Sequence, residues 1–142
     1  MREWRRASIL RSSTKGFDMR FSMIVALIAA LQGAAGVTLA AAAAHVHASP
    51  LLATASHFLM VHAAAGIGLA ALLASSLPFS GLLAGVALAL QAGVVLFSAD
   101  LSARVFLGGK LFAFAAPMGG GLTILAWLGI AIWAALSLRM PK

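Results

Sequence analysis

One uncharged stretch of 79 residues, from Phe21 to Ala99, constrains this chain more than any other feature. A second uncharged stretch of 28 residues runs from Leu111 to Leu138. One helical crossing of a bilayer needs about 20 apolar residues, so the first stretch is long enough for three crossings and the second for one. With 63% hydrophobic residues and a mean hydropathy of +1.05, the composition excludes an ordinary soluble domain. The sequence predicts an all-α integral membrane protein.

Turn and capping residues divide these stretches into four predicted helices. Ser49 is a favourable N-cap before Pro50 at the first helical position, and Pro78 ends the same helix. The short connection that follows requires an antiparallel hairpin. The predicted helices cover residues 21–44, 50–76, 79–98 and 117–138. We therefore expect a four-helix antiparallel transmembrane bundle, with a basic cytoplasmic tail at residues 1–20 and a short one at 139–142.

The segment between the third and fourth helices has helical signals of its own. Asp100 can cap a short helix in which Arg104 lies one turn later, before a pair of glycines ends it. We expect this short interfacial helix to lie on the outer membrane surface. Farther along, Pro117, Gly119 and Gly120 predict a helix break in the apolar run, so the fourth crossing should begin near Pro117.

The net charge of +7 is concentrated at the two ends of the chain. Residues 1–20 carry a net +4, and Arg139 with Lys142 adds +2. The positive-inside rule places both termini in the cytoplasm of a bacterial inner membrane, although Arg104 and Lys110 fall in an outer connection. The lipid bilayer is thus the expected partner. Nucleic acid is excluded as a partner, because its recognition needs basic residues interleaved with polar or aromatic readers on one face.

A cleavable signal peptide is the alternative interpretation of the first apolar run. A basic segment precedes the run, and small residues at 42–44 resemble a cleavage site. Signal cores are only about 7–15 residues long, however, so the predicted 24-residue helix favours an uncleaved crossing. An alternative start at Met19 would remove the tail without changing this crossing.

Two glutamines and two stripes of small residues are the candidates for holding the helices together in lipid. Gln32 and Gln91 each fall about 17 Å from the inner end of a helix, so we expect them to bond to each other or to the backbone. A polar path for a solute is the alternative interpretation of this pair. We also expect the two small-residue stripes to pack on each other. They comprise Ala29, Gly33, Val37 and Ala41 on the first helix, and Gly81, Gly85, Ala89 and Gly93 on the third.

Four histidines raise the question of a metal or haem site. His45 and His47 could bind zinc or copper with a third ligand from His57 or His62, near the level of Asp100. His57 and His62 lie about 140° apart on a helix, which makes them poor co-ligands and favours contacts between helices instead. Haem would need facing imidazoles from different helices, but the third and fourth predicted helices contain none. We expect neither a metal nor a cofactor.

The sequence offers no recognisable catalytic arrangement. Cysteine is absent, and the serines lack a convincing base and acid. Outside the N-terminal tail the sequence has one acidic residue, Asp100, so a carboxylate pair cannot form there. We therefore do not expect an enzyme.

Several short segments nevertheless look familiar in their order. They are Ala44-His45, His62 followed by two alanines, Leu96-Phe97-Ser98, and the run FAAPMGGG with Trp127 six residues after it. In these segments the chain resembles domain of unknown function family 423, small inner-membrane proteins related to eukaryotic transmembrane protein 256. The resemblance covers roughly residues 19–138 and implies about four membrane helices with no agreed molecular activity. His47 and His57 lie outside the matching pattern, so a shared role would fall on His45 and His62.

These observations predict a non-enzymatic accessory or membrane-organising protein. The alternative is a small transporter or channel subunit, which would need to oligomerise because four helices enclose little lumen. A homo-oligomer and a membrane-protein partner are the two kinds of association that we expect. The candidate functional or interhelical polar residues are His45, His62, Gln32, Gln91 and Asp100.

Overall fold

The computed structural model describes residues 2–75 and 77–139, with side chains from residue 19 onward within those ranges. The described residues form four α-helices and no strand: α1 (Arg2–His45), α2 (Pro50–Ala74), α3 (Ser80–Phe106) and α4 (Ala115–Ser137). The all-helical prediction is confirmed. All four helices contain a segment long and apolar enough to cross a membrane, which in α1 is Met19–His45. This is the pattern of a multi-pass membrane protein.

The first helix is much longer than its predicted crossing. The sequence predicted a tail over residues 1–20, but α1 begins at Arg2 and continues without interruption to His45. Residues 2–20 contain no proline and a single glycine, and several of them favour helix. The helix of the apolar segment therefore continues through them toward the N-terminus. The predicted ends at Ser76 and at 140–142 lie outside the described residues.

The separate interfacial helix predicted at 100–107 is wrong. Instead, α3 continues through Asp100 to Phe106, and Gly108 follows with a positive φ of 72°. No glycine or proline interrupts the backbone between Gly93 and Gly108. Asp100 and Arg104 are spaced as an i, i+4 pair within one helix, which explains why the helix passes through them.

The fourth helix begins near Pro117 as predicted, but Gly119 and Gly120 do not break it. Because α4 begins at Ala115, Pro117 occupies its first turn, where the missing backbone N–H costs no intrahelical hydrogen bond. The two glycines lie inside the helix. The real interruption is the non-helical segment 107–114 between α3 and α4.

Helices that follow one another in sequence pack together as antiparallel neighbours. In α1 and α2, Ser22 Oγ donates to the Ala70 carbonyl and Ser56 Oγ to the Gly36 carbonyl, each at 2.8 Å. Pairs of this kind, early residue with late residue, show the antiparallel direction. The same neighbour packing joins α2 to α3 and α3 to α4, while α1 also touches α3. The described backbone of α4 does not approach α1 or α2, so α4 packs on α3 outside a group of three mutually contacting helices, α1, α2 and α3.

The two small-residue stripes do not pack on each other as predicted. A Cβ on Gly81 or Gly85 would meet no other atom within 4 Å, whereas Gly93 faces α4. On α1, Gly33 faces Ala63 of α2. Spacing along a helix defines a face, but it does not determine which neighbour covers that face.

Large apolar side chains are exposed along the described lengths of all four helices, including Leu31 at 62%, Val61 at 49%, Val95 at 46% and Leu125 at 65%. Polar side chains such as Ser22, Ser56 and Thr123 are instead buried. Hydrocarbon gives helices no hydrophobic reason to associate, so hydrogen bonds and close packing hold them together there. The fold therefore suits an apolar solvent.

Near the chain termini, α4 is fastened to the loop between α2 and α3. Trp133 is only 6% exposed and packs into a cluster with Leu73 and Leu83. Its indole N–H donates to the Pro78 carbonyl at 3.0 Å. The tryptophan thus attaches the C-terminal part of α4 to the α2–α3 loop.

Candidate functional site

The two central glutamines meet in the interior, but only one of them bonds through its side chain. Gln32 Nε2 donates to the backbone carbonyl of Gln91 at 3.2 Å, linking α1 to α3. Both side chains are buried, at 3% and 2% exposed. Gln32 Oε1 and both polar atoms of the Gln91 amide lack hydrogen-bond partners among the described residues. The predicted contact is therefore present through the backbone, and it leaves three polar atoms unsatisfied.

Gly66 on α2 makes room for the Gln91 side chain. A Cβ at this position would clash with Gln91 Nε2 and would lie 2.8 Å from the Ala29 Cβ. Three helices consequently converge at the level of the glutamines. The fixed rise of a helix predicted that Gln32 and Gln91 lie at the same depth, but no sequence signal indicated that Gly66 would join them.

His62 has protein contacts at both ring nitrogens. Its Nδ1 lies 2.7 Å from the Phe58 carbonyl, and its Nε2 lies 3.4 Å from Trp127 Nε1. A carbonyl oxygen accepts and an indole N–H donates, so Nδ1 faces an acceptor and Nε2 faces a donor. The predicted interhelical role fits this geometry, in which His62 joins α2 to α4.

Aromatic rings surround this histidine on three helices. Phe58 stacks at a tilt on His62, with ring centroids 4.2 Å apart, and its other neighbour is Phe97 of α3 at 4.5 Å. Trp127 of α4 is 6.2 Å from the imidazole and remains 45% exposed. Sequence reasoning missed Phe58, although its position four residues before His62 places both on one helix face.

Asp100 anchors the connection between α3 and α4. Its carboxylate is fully buried, and it accepts hydrogen bonds from Arg104 Nε at 2.9 Å and from Arg104 Nη2. Its other oxygen accepts the Leu111 backbone N–H at 2.9 Å. Both carboxylate oxygens are therefore used within the chain, one for the ion pair and one for the loop.

The remaining histidines do not join His62 and Asp100 in a common site. His45 is exposed at the end of α1, and His57 is exposed on α2. His47 lies in the α1–α2 loop with its ring edge toward Phe106, at a centroid distance of 5.7 Å. Within the described ranges, no group of three His, Cys, Asp or Glu side chains is placed to hold a metal ion.

The glycines after Pro117 lie at a close approach between α3 and α4. A Cβ on Gly119 would lie 2.5 Å from the Phe97 backbone nitrogen, and one on Gly93 would lie 2.8 Å from the Gly119 carbonyl oxygen. Thr123 completes the contact, since its hydroxyl donates to that same carbonyl at 2.9 Å. The motif expected to break a helix instead packs α4 directly against α3.

An apolar groove lies on the opposite side of α3, between it and α1. Its cavity volume is about 490 Å³, and Leu59 of α2 forms part of its wall. The rim is open, because Leu31 and Val95 on its two sides are largely exposed. Gln32 also lines the groove.

Residues 20–120 match a family described as "Protein of unknown function (DUF423)". The chain belongs to this family. The matched range contains both glutamines, His45, His62, Asp100 and the whole Pro117–Gly120 segment, and it ends before Trp127. Neither a search of curated proteins nor a search of solved structures found a match. The family assignment agrees with the resemblance seen in the sequence and carries no molecular activity with it.

Proposed function

We propose that this DUF423 protein is a non-enzymatic accessory protein of the bacterial inner membrane, with both termini in the cytoplasm. The observation that carries the proposal is that the polar atoms of His62 and Asp100, two side chains that could take part in chemistry, are already bonded within the protein. The polar atoms of His62 contact Phe58 in the same helix and Trp127 in α4, and those of Asp100 bond to Arg104 in the same helix and to Leu111 in the α3–α4 loop. Groups held in this way brace a scaffold. The outward surface, rich in exposed apolar side chains, is what the protein offers to lipid or to another membrane protein.

The distribution of charge supports the proposed orientation. Arg104, one of the two basic residues that oppose it, forms an ion pair with Asp100. Lys110 then remains as the exposed basic side chain of the described α3–α4 connection. The opposite end carries the basic N-terminal segment and Arg139. By the count of lysines and arginines, the end that carries the two chain termini is the more basic one and is therefore expected in the cytoplasm.

Reporter fusions test the orientation directly. Alkaline phosphatase, which is active only outside the cytoplasm, should be inactive when fused after Lys142 and active when fused after Gly109. A green fluorescent protein at the same two positions should show the reverse. Phosphatase activity at the C-terminal fusion would contradict the proposed topology.

Cross-linking in native membranes tests the accessory role. A photoreactive amino acid at exposed Leu125 on α4, or at exposed Leu27 on α1, tests two separate outward surfaces of the protein. Capture of a different membrane protein in equal amount supports the proposal. Buried Leu90 serves as the matched control position, because it should capture nothing from outside the chain.

A transport role is the second candidate, and the unpaired atoms of Gln32 and Gln91 are the observation that favours it. Neutral polar groups at mid-membrane can line a solute path when several copies assemble. Symmetric homo-oligomers in the cross-linking experiment, together with solute flux in liposomes, would support this alternative and contradict the accessory role.

A further inference from the structure

The connection between α3 and α4 presents large apolar side chains around one exposed lysine. Each of these apolar side chains is at least 47% exposed: Phe106, Leu107, Leu111, Phe112 and Phe114. Lys110 lies among them in the sequence and is also exposed. A cation surrounded by apolar groups suits the boundary of a membrane, where lipid tails meet charged headgroups.

Helix α3 gives the depth of this connection. Its first 20 residues, Ser80 to Ala99, are uncharged and rise about 30 Å, which equals the thickness of the hydrocarbon core. Asp100 therefore lies at the boundary of the core. Phe106, six residues later at the end of the helix, lies about 9 Å farther out, in the headgroup region.

After α3 ends, the chain returns to the level of Asp100. The Leu111 backbone N–H donates to the Asp100 carboxylate at 2.9 Å. Gly119 of α4 packs against the backbone of Phe97, which is less than one turn before Asp100. Because α4 begins four residues before Gly119, its first residue also lies near that level. Lys110 consequently lies at headgroup depth, with Leu111 at the edge of the core.

The side chain of Lys110 has no counter-charge available from the acidic residues of the chain. Of the three acidic residues in the sequence, Glu3 and Asp18 precede the first crossing and belong to the opposite end of the helices. The third, Asp100, gives one oxygen to Arg104 and the other to a backbone N–H. The two cations thus exceed the single carboxylate by one charge. Lipid phosphates are the anions found at this depth of a membrane.

Arg104 can contribute to the same site. It uses Nε and Nη2 on Asp100, which leaves Nη1 without a partner among the described residues, and its side chain is 30% exposed. We propose that Lys110, assisted by Arg104, binds the phosphate of a phospholipid at this end of the helices. Phe112 and Phe114 then lie among the first acyl carbons of that lipid. In the proposed orientation this is the outer leaflet, so the site accounts for two basic residues where the positive-inside rule predicts few.

This inference rests on the proposed membrane location and goes beyond the accessory role. Quenching of a fluorescent label tests it. The chain has no cysteine, so Gly109→Cys provides a single attachment site beside Lys110, and a Cβ at Gly109 meets no atom within 4 Å. The labelled full chain is reconstituted in liposomes of digalactosyl diacylglycerol, which contains no phosphate, and is floated on a density gradient.

A small fraction of the lipid carries a quenching nitroxide on an acyl carbon near the headgroup. The carrier is either phosphatidylglycerol or the galactolipid itself, so the matched probes differ in their headgroups, one of which has a phosphate. We expect the phospholipid to be enriched at the label about fivefold, as one basic side chain near an anionic surface gives. A nitroxide near the end of the acyl chain should quench less, because the label lies at headgroup depth. Both leaflets contain the probes, so the result does not depend on orientation.

Three substitutions in the labelled chain separate the parts of the claim. Lys110→Gln removes the charge at similar length and should abolish most of the enrichment. Lys110→Arg keeps the charge and should retain it. Arg139→Gln removes an exposed basic side chain after α4, at the opposite end of that helix, and should change nothing.

The outcomes distinguish this inference from the membrane proposal. Equal quenching by the two lipids would overturn the phosphate site, and enrichment that persists in Lys110→Gln would overturn the role of the lysine. Stronger quenching by the deep nitroxide would overturn the assigned depth. A label that neither lipid quenches would mean that protein, such as a second copy, covers the segment, which would also overturn the site. A chain that failed to float with the liposomes would overturn the membrane location as well, whereas a floating chain without enrichment would overturn the phosphate site alone.

Discussion

The two sides of α3 show opposite ways of using small residues. Toward α4, Gly93 and Gly119 face each other, and the backbones come so close that a Cβ on either glycine would collide with its neighbour. Toward α1, small side chains such as Ala35 and Ala99 face each other across an open groove. Gly81 and Gly85 of the same helix meet nothing. Small residues therefore allow close contact between helices but do not create it; on the α4 side of α3, each glycine also has another glycine opposite it.

We call the α4-facing side of α3, where Gly93 faces Gly119, the closed side, and the α1-facing side the open side. The largest expected effect on stability comes from a substitution on the closed side. Gly119→Ala places a methyl group against the Phe97 backbone, which cannot move aside as a flexible side chain could. We expect the free energy of unfolding to fall by about 1–3 kcal/mol, as for other overpacked interiors. Denaturant titration in detergent, followed by helical circular dichroism, measures the change.

Gly121→Ala is the matched control, since a Cβ at this position meets nothing within 4 Å. Its higher helix propensity should raise stability by up to about 1 kcal/mol. Equal losses in the two variants would mean that helix flexibility, rather than the contact with α3, explains the glycines.

The next effect concerns the loop that joins the two helices of the closed side. Asp100→Leu removes both the ion pair with Arg104 and the acceptor for the Leu111 N–H. Asp100→Asn removes the charge but keeps an oxygen for that N–H. We expect hydrogen exchange over residues 107–114 to speed up strongly in the leucine variant and less in the asparagine variant. Exchange unchanged in both would show that the carboxylate does not hold the loop.

The sequence predicted elements better than it predicted neighbours, and the residues show why. Apolar length and proline positions define crossings, because they depend on local chain properties and on bilayer thickness. The common depth of Gln32 and Gln91 followed from the fixed rise of a helix. The partner of Gly93 could not be predicted, since periodicity identifies a face without identifying the helix that covers it. Asp100 was misread because a helix N-cap and an i, i+4 ion pair both place an aspartate before an arginine.

On the open side of α3, we expect the two glutamines to contribute unequally to stability. Gln32 donates a hydrogen bond through its side chain, whereas Gln91 receives it on its backbone and leaves its own amide unpaired. Gln32→Met should therefore cost about 0.6 kcal/mol, the average for such bonds in membranes. Gln91→Met removes two unsatisfied atoms at similar volume and should be neutral or stabilising. Titration of both variants checks this order, and a larger loss for Gln91→Met would contradict it.

The smallest expected effect concerns the side-chain contact between α4 and α2, which is formed by Trp127 and His62. Trp127 Nε1 and His62 Nε2 are 3.4 Å apart, beyond the usual range for an N–H donor, and the indole is 45% exposed. Trp127→Phe, His62→Phe and the double variant form a thermodynamic cycle whose coupling energy isolates this pair. We expect a coupling of about 0.5 kcal/mol or less, because a long bond at an exposed ring adds little to the glycine contact beside it. A coupling above about 1.5 kcal/mol, near the upper end for bonds in lipid, would instead make this bond a main fastening of α4. The position of α4 could then not be explained by its contact with α3 alone, since α2 would hold α4 as firmly as the glycines of α3 do.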